Sequence, residues 1–146
     1  QLYNRGVGGV VLFNRFYAPD IDISKMKITS AEVFSSPSDI RQTLRWVGIV
    51  SGNIEKMDIA ASTGIHDSNG AIKMLLAGAS AIQVCSALYL KGIGYLQNFI
   101  SGLKKWMNEN NYKRIEDFRG RMSYKNIPDP SVYERSQFMR YFSNYY

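Results

Sequence analysis

The stretch that decides the fold is MDIAASTGIHDSNGAIKMLLAGASAIQVCSAL, from Met57 to Leu88. It contains two buried apolar runs, Ile59–Ala61 and Ala81–Val84, separated by a segment whose apolar residues recur at helical spacing. Small residues follow both runs: Ser62, Thr63 and Gly64 after the first, and Cys85, Ser86 and Ala87 after the second. The sequence therefore predicts a strand, a loop, a helix, a second strand and a second loop.

The helix between the two runs has clear end signals. Asp67 or Ser68 can cap its first turn, and Gly78 can end it in the left-handed conformation. In a parallel α/β arrangement the two loops would lie side by side and present uncovered backbone amides to one anion, such as a phosphate. Small residues after a strand also let any α/β protein pack a helix tightly against its sheet, so the loops alone leave both interpretations open.

Five segments of the chain resemble the dihydroorotate dehydrogenase family, most closely its dihydroorotate dehydrogenase-like branch. They are VVLFNRFYAPDIDI (10–23), LRWVGIVSG (44–52), ASTGIHD (61–67), IKMLLAGASAIQVCSAL (72–88) and FRGRMSYKN (118–126). The resemblance covers nearly the whole chain. It implies an α/β fold, the C-terminal part of a (β/α)8 TIM barrel, with about three strand/helix units plus a helical tail. It also implies FMN as cofactor and oxidation of a dihydropyrimidine-like ring by hydride transfer to the flavin.

The same resemblance assigns the site residues. It implies that the FMN phosphate is bound, largely through backbone amides, by Ser62, Thr63, Gly64, Cys85 and Ser86. It further implies that Asn14, at the end of the predicted strand Gly9–Phe13, contacts the flavin and the substrate. Asn14 taken alone is also compatible with a capping residue. The chain departs from better characterised members, which have a Gly-Gly pair at Thr63 and Gly64 and a Gly-rich loop near Ser35 and Ser36.

Most of a barrel is missing from the sequence. A complete TIM barrel has eight strand/helix units and typically about 250 residues, whereas three strands can be placed here: Gly9–Phe13, Met57–Ala61 and Ala81–Val84. By the resemblance, the proton-abstracting residue and the flavin-contacting lysine lie upstream of Gln1, so no catalytic residue is assigned. We expect a piece of a longer polypeptide that needs the N-terminal part of the barrel, and that alone binds FMN weakly and is inactive.

Other segments are predicted from local signals. Residues 1–110 are expected to carry the strand/helix units and residues 111–146 a helical tail that packs on the barrel or on a partner. Ser36 and Pro37 begin a helix that Gly52 ends, with Ile40, Leu44, Val47 and Val50 facing inward. Short paired strands are predicted at Met26–Ile28 and Glu32–Phe34, and a long helix at Gly94–Asn108 is expected against the outside of the sheet.

The amino-acid composition limits which classes of protein the chain can belong to. The 146 residues are 45% hydrophobic and contain no run long enough for a membrane span. A single cysteine excludes an internal disulfide and suits the cytoplasm, and Cys85 is expected to be a small buried residue. Asp20 and Asp22 lack the further oxygen ligands of a metal site, so no metal is assigned. His66 is interpreted as part of a helix cap, with assistance to anion binding or a role as an acid as the alternatives.

The net charge of +6 raises the question of nucleic-acid binding. The excess of Lys and Arg lies after residue 90, where 10 basic residues face 5 acidic ones and aromatic residues are interleaved. Tyr133, Phe138, Tyr141 and Phe142 fit one helical stripe, however, which is typical of a core or a subunit interface. No nucleic acid and no membrane is therefore predicted as partner, and a homo-oligomer is possible. The alternative function is a non-catalytic, phosphate-ligand-binding α/β module that assembles with copies or partners.

Overall fold

A computed structural model of the chain describes residues 2–15 and 18–134. Its strands are β1 (Gly9–Leu12), β2 (Pro19–Asp22), β3 (Lys27–Ser30), β4 (Asp58–Ala61) and β5 (Ala81–Ile82). Its α-helices are α1 (Ile40–Asn53), α2 (Ser68–Ala77), α3 (Ser86–Lys91) and α4 (Leu96–Glu109). Short 3₁₀ turns lie at Tyr3–Arg5, Pro37–Asp39, Ile93–Tyr95, Ile115–Asp117 and Pro130–Tyr133.

Three of the strands form a parallel sheet in the order β1-β4-β5. Leu12 is in register with Ala61, and Ala61 with Ile82, so all three strands end at the same edge. The predicted strand positions are confirmed, although β5 ends at Ile82 instead of Val84. Each edge strand has one neighbour among the described strands.

The core lies between this sheet and the helices that follow its strands. Val47 of α1, Ile59 of β4 and Met74 of α2 are almost fully buried. Ile40, Leu44 and Val50 pack against this cluster, as predicted from their spacing. The ends of α2 are also as predicted, because Asp67 Oδ1 accepts a hydrogen bond from the Gly70 amide (2.7 Å) and Gly78 adopts φ +113°.

Helix α4 packs mainly on α2, which corrects the prediction that it lies against the outside of the sheet. A Cβ built on Gly102 would lie 2.2 Å from Ser68 Oγ, so the two helices approach closely at that point. Phe99 joins the buried core, and its ring meets the Tyr95 ring edge to face. The amphipathic pattern of α4 therefore identified a buried face but not which neighbour covers it.

The connection after β1 forms a hairpin with a different register from the predicted one. Pro19 pairs with Ser30 and Asp22 with Lys27, whereas the predicted strands were Met26–Ile28 and Glu32–Phe34. Asp22 Oδ1 accepts a hydrogen bond from the Lys25 amide (3.0 Å), and Met26 adopts φ +46°. The Asp22 hydrogen bond stabilises the turn at residues 23–26, because an Asp side chain readily accepts a hydrogen bond from a nearby turn amide.

The segment from residue 111 to 134 returns to the back of α1 and α2. Backbone amides of Gly120, Met122 and Tyr124 donate to the carbonyls of Leu75, Leu76 and Gly48. Phe118 is fully buried against Trp106 and Tyr112. The exposed Lys125 pairs with Glu55 and lowers the pKa of that carboxyl. The proposed aromatic stripe lies outside the described residues except for Tyr133. None of the helices in the described ranges has the length and apolarity to cross a membrane.

Candidate functional site

A cavity of about 280 Å³ opens at the edge where the parallel strands end. It is lined by residues from three segments that follow β1, β4 and β5, and by the segment before α1. All six predicted cofactor residues line it: Asn14, Ser62, Thr63, Gly64, Cys85 and Ser86. Parallel strands bring these distant positions together, because their carboxyl ends share one edge.

The first loop begins directly after β4. Ser62 still pairs with β1, donating its amide to the Leu12 carbonyl (2.8 Å). Thr63 then adopts φ +79°, an uncommon conformation for a β-branched residue, and its Oγ1 donates to the Phe13 carbonyl (2.9 Å). Within residues 2–15 and 18–134, the backbone amides of Thr63, Gly64 and Ile65 donate no hydrogen bond to a backbone carbonyl. All three residues line the cavity.

The fold requires a glycine at position 64 whether or not a ligand binds. It adopts φ +80°, and a Cβ built on it would lie 2.1 Å from the Ile40 backbone nitrogen. The first turn of α1 therefore lies directly against this loop. No local sequence signal predicts this contact, because residues 40 and 64 are distant in sequence.

The second loop is more open. Ser86 begins α3, and its Oγ accepts a hydrogen bond from the Ser35 amide (3.0 Å). Cys85 is exposed, which corrects the prediction of a buried residue. The reason is the short β5, which ends at Ile82 and leaves Gln83 and Cys85 on the cavity wall. Because Ser86 Oγ is an acceptor toward Ser35, its own hydroxyl proton remains free to donate elsewhere.

His66 lies behind the first loop. Its side chain is 9% exposed, and its Nε2 is 3.1 Å from Ser35 Oγ. Asp67, not His66, provides the cap of α2. His66 therefore holds Ser35 in place, and Ser35 in turn holds Ser86, so the two loops are connected by side chains from behind the cavity.

Asn14 and Arg15 form the wall contributed by the end of β1. Asn14 is exposed, and among the described residues its carboxamide has no hydrogen-bond partner. Arg15 lines the same cavity, and its Nη1 is buried without a hydrogen-bond partner in the described part of the chain. Asn14 and Arg15 thus both line the cavity, and neither side chain uses its full hydrogen-bonding capacity within the described residues.

Sequence reasoning missed several residues of the cavity wall. Besides Arg15, these are Val33, Phe34, Ser35, Ile65 and Gln83. The position of Arg15 directly after Asn14 was a usable signal, since residues that follow a parallel strand line the same edge. The resemblance pointed to a loop near Ser35, but no local signal placed Val33 or Phe34 at the cavity, where Ser35 holds the segment through Ser86 and His66. No cluster of metal-ligating side chains occurs in the described ranges, and Asp22 instead pairs with Lys25.

Known proteins resemble this chain at moderate identity. It is 31% identical over 115 residues to the "Dihydroorotate dehydrogenase B (NAD(+)), catalytic subunit" of Pyrococcus furiosus, a match that spans 77% of this chain and 38% of the relative. It is 32% identical over 69 residues to a "Probable dihydroorotate dehydrogenase A (fumarate)" of Streptococcus pneumoniae, which covers 47% of this chain and 22% of the relative. No family model matches the chain.

The fold also has a solved counterpart. A crystal structure of DHODH from Eimeria tenella, in complex with ferulenol, aligns with a TM-score of 0.67 over 82% of this chain and 32% of that chain, at 20% identity. The likeness shows that the three parallel strands and their helices are part of a TIM-barrel fold. The chain spans less than two fifths of the length of the curated relatives named above.

Proposed function

Because this chain belongs to the dihydroorotate dehydrogenase family, we propose that it forms part of an FMN-dependent oxidoreductase that acts on a dihydropyrimidine-like ring. The observation that carries the proposal is the single cavity in which both small-residue loops meet Asn14. In this proposal the chain provides the grip on the FMN phosphate and one polar contact to the substrate. The catalytic base belongs to a part of the protein outside this sequence.

The residues of the cavity fit a phosphate monoester. Backbone amides at Thr63, Gly64 and Ile65 have no partner among the described carbonyls, and the first turn of α3 presents further amides from the other side. Gly64 contributes no side chain, and Ser86 contributes a free hydroxyl proton. Oxyanions are bound well by such converging amides.

Bound FMN would supply the redox chemistry by accepting hydride from the substrate ring. The chain's own residues would bind and orient. The two loops would hold the phosphate at the strand edge, in the cavity that Asn14 also lines. There the Asn14 carboxamide can both donate to a ring carbonyl and accept from a ring N–H, a pairing that suits a pyrimidine edge.

The division of the chain follows from the same proposal. Residues 1–110 carry the strand/helix units that build the site, and residues 111–146 form a tail that packs on them or on a partner. The described part of this tail supports α1 and α2 from behind through the amides of Gly120 and Tyr124. It therefore stabilises the loops without contributing to the cavity wall.

The phosphate grip is tested by placing a negative charge in it. In the full-length protein, Ser86→Asp should leave the fold intact, because a carboxylate is favourable in the first turn of a helix and can still accept from the Ser35 amide. Repulsion of the phosphate dianion by about 2 kcal/mol or more should lower FMN affinity at least about 30-fold. Riboflavin, which lacks the phosphate, should lose little affinity.

Ser101→Asp, on the exposed surface of α4, is the matched control and should change neither affinity. Titration of flavin fluorescence measures both ligands. An equal loss for FMN and riboflavin would contradict the phosphate grip, and absence of flavin binding by the unchanged full-length protein would contradict the proposed function.

A non-catalytic phosphate-binding module is the second candidate. It is favoured by one observation: β1 and β5 each pair on one side only among the described strands, so copies or partners could cover the edges. Bleaching of the bound flavin by dihydroorotate or another dihydropyrimidine supports the oxidoreductase. Flavin binding without bleaching by any dihydropyrimidine, in a stable homo-oligomer, supports the module.

A further inference from the structure

Arg15 stands out among the residues of the cavity because part of its charge is buried and unused. Its Nη1 is inaccessible to solvent and has no hydrogen-bond partner in residues 2–15 and 18–134. Burial of a polar group without a partner is costly, and the cost is larger for a charged group. The Arg15 residue lines the cavity, so a ligand bound there can supply an acceptor to the rest of its guanidinium.

Among the described residues, the Asp39 carboxylate lies near Arg15 but forms no ion pair with it. Arg15 also borders a neighbouring cavity that Asp39 and Arg41 line. The Asp39 carboxylate accepts a hydrogen bond from the Ser36 amide through Oδ2 (2.8 Å), and no ion pair joins it to Arg15 among the described residues. The other cation at that cavity, Arg41, adds positive charge to the region instead of neutralising it.

We infer that Arg15 is an anion-binding, specificity-determining residue of the cavity, whose guanidinium pairs with an oxyanion of the bound ligand. This inference rests on the proposed function and deepens it. Guanidinium binds planar or tetrahedral oxyanions through parallel hydrogen bonds, which gives both energy and orientation. The oxyanion comes from one of two sources, the phosphate of the flavin or a carboxylate on the substrate ring.

The position of Arg15 is compatible with either source. It follows Asn14, the group proposed to face the substrate ring, and it lines the same cavity as Thr63 and Ser86 of the phosphate loops. In both cases Arg15 raises the selectivity of the site for a charged ligand over its uncharged analogue.

Two ligand pairs separate the sources in the full-length protein. FMN and riboflavin differ by the phosphate. Orotate and uracil, each added to the FMN-loaded protein, differ by the carboxylate. For Arg15→Gln we expect the preference for the charged member of one pair to fall about 10- to 100-fold, the range for one charge-assisted hydrogen bond. Flavin fluorescence reports the first pair, and the flavin absorbance shift on ligand binding reports the second.

The melting temperature of the ligand-free protein distinguishes a ligand-binding arginine from a structural one. Removal of a structural arginine would lower it. If the ligand supplies the partner, Arg15→Gln should leave the melting temperature unchanged or raise it, because a guanidinium with a buried, unpartnered Nη1 is removed. Arg15→Lys keeps the charge without the planar fork and should retain part of the preference. Arg119→Gln, at an exposed arginine outside the cavity, is the matched control and should change none of these values.

A loss of charge preference in either pair supports the inference and names the source. Unchanged preferences in both pairs overturn it, and so does a lowered melting temperature with unchanged preferences, which would identify a structural partner for Arg15. Both results differ from failure of the proposed function, in which the unchanged protein binds no flavin.

Discussion

The two loops at the cavity have similar small residues but are held very differently. The loop after β4 is fixed from several sides: Gly64 lies against the first turn of α1, Thr63 bonds to the Phe13 carbonyl, and Asp67 caps α2. The loop after β5 follows a two-residue strand, and Cys85 is exposed. The first loop has its shape imposed by this chain, whereas the second is tied to its surroundings mainly through Ser86 and Ser35.

This difference assigns distinct tasks to the loops in the proposed site. A rigid loop presents its amides without an ordering cost when the ligand binds, since preorganised donors need no reorganisation. The open loop faces the side of the sheet where β5 has no further neighbour among the described strands. We therefore expect substitutions in the first loop to affect folding, and substitutions in the second loop to affect mainly binding.

The largest effect is expected for Gly64→Ala. The new Cβ would lie 2.1 Å from the Ile40 nitrogen at a positive φ, so overpacking and backbone strain add to about 3 to 5 kcal/mol of lost unfolding free energy. Gly6→Ala is the control, because Gly6 has φ +84° but open space around it and should cost only about 1 kcal/mol. Chemical denaturation of both variants measures the difference. Similar losses at the two positions would mean that α1 does not constrain the loop.

Removal of the helix cap in the first loop should have the next largest effect. Asp67→Ala leaves the Gly70 amide without its acceptor and should cost about 1 kcal/mol of unfolding free energy. Asp58→Ala, at an exposed aspartate at the start of β4, serves as the control and should stay within about 0.5 kcal/mol. If the two substitutions were equal in denaturation experiments, the cap would not contribute to the rigidity of the loop.

Two substitutions at Thr63 test for backbone strain, because strain decides which of the two variants is the more stable. Both Thr63→Ala and Thr63→Gly lose the hydrogen bond to Phe13, but only glycine is comfortable at φ +79°. The glycine variant should therefore be more stable than the alanine variant by about 1 kcal/mol. The same pair at Thr43, whose hydroxyl donates to Ser62 from within α1, should give the opposite sign, because glycine destabilises a helix. Equal signs at the two positions would refute strain in the loop.

The same contrast explains how much of the molecule could be read from its sequence. The ends of α2 were predictable because Asp67 and Gly78 act on their own chain neighbours. The meeting of the two loops was predictable because parallel strands end at one edge. The contact of Gly64 with α1 and the role of Ser35 were not, since both depend on packing between distant segments. The exposure of Cys85 depended on where pairing of β5 with β4 stops, which side-chain pattern does not specify.

The smallest effect on stability is expected for Cys85→Ala. The exposed thiol has no hydrogen-bond partner among the described residues, so its removal should change the unfolding free energy by less than about 0.5 kcal/mol.

The native thiol should react readily with a disulfide reagent, and FMN should slow the reaction if its phosphate lies over the second loop. Inorganic phosphate, which occupies only the anion site, should slow it less. A thiol that resists the reagent in the ligand-free full-length protein would show that another part of that protein covers the second loop, and the contrast between the loops would then hold only for this chain.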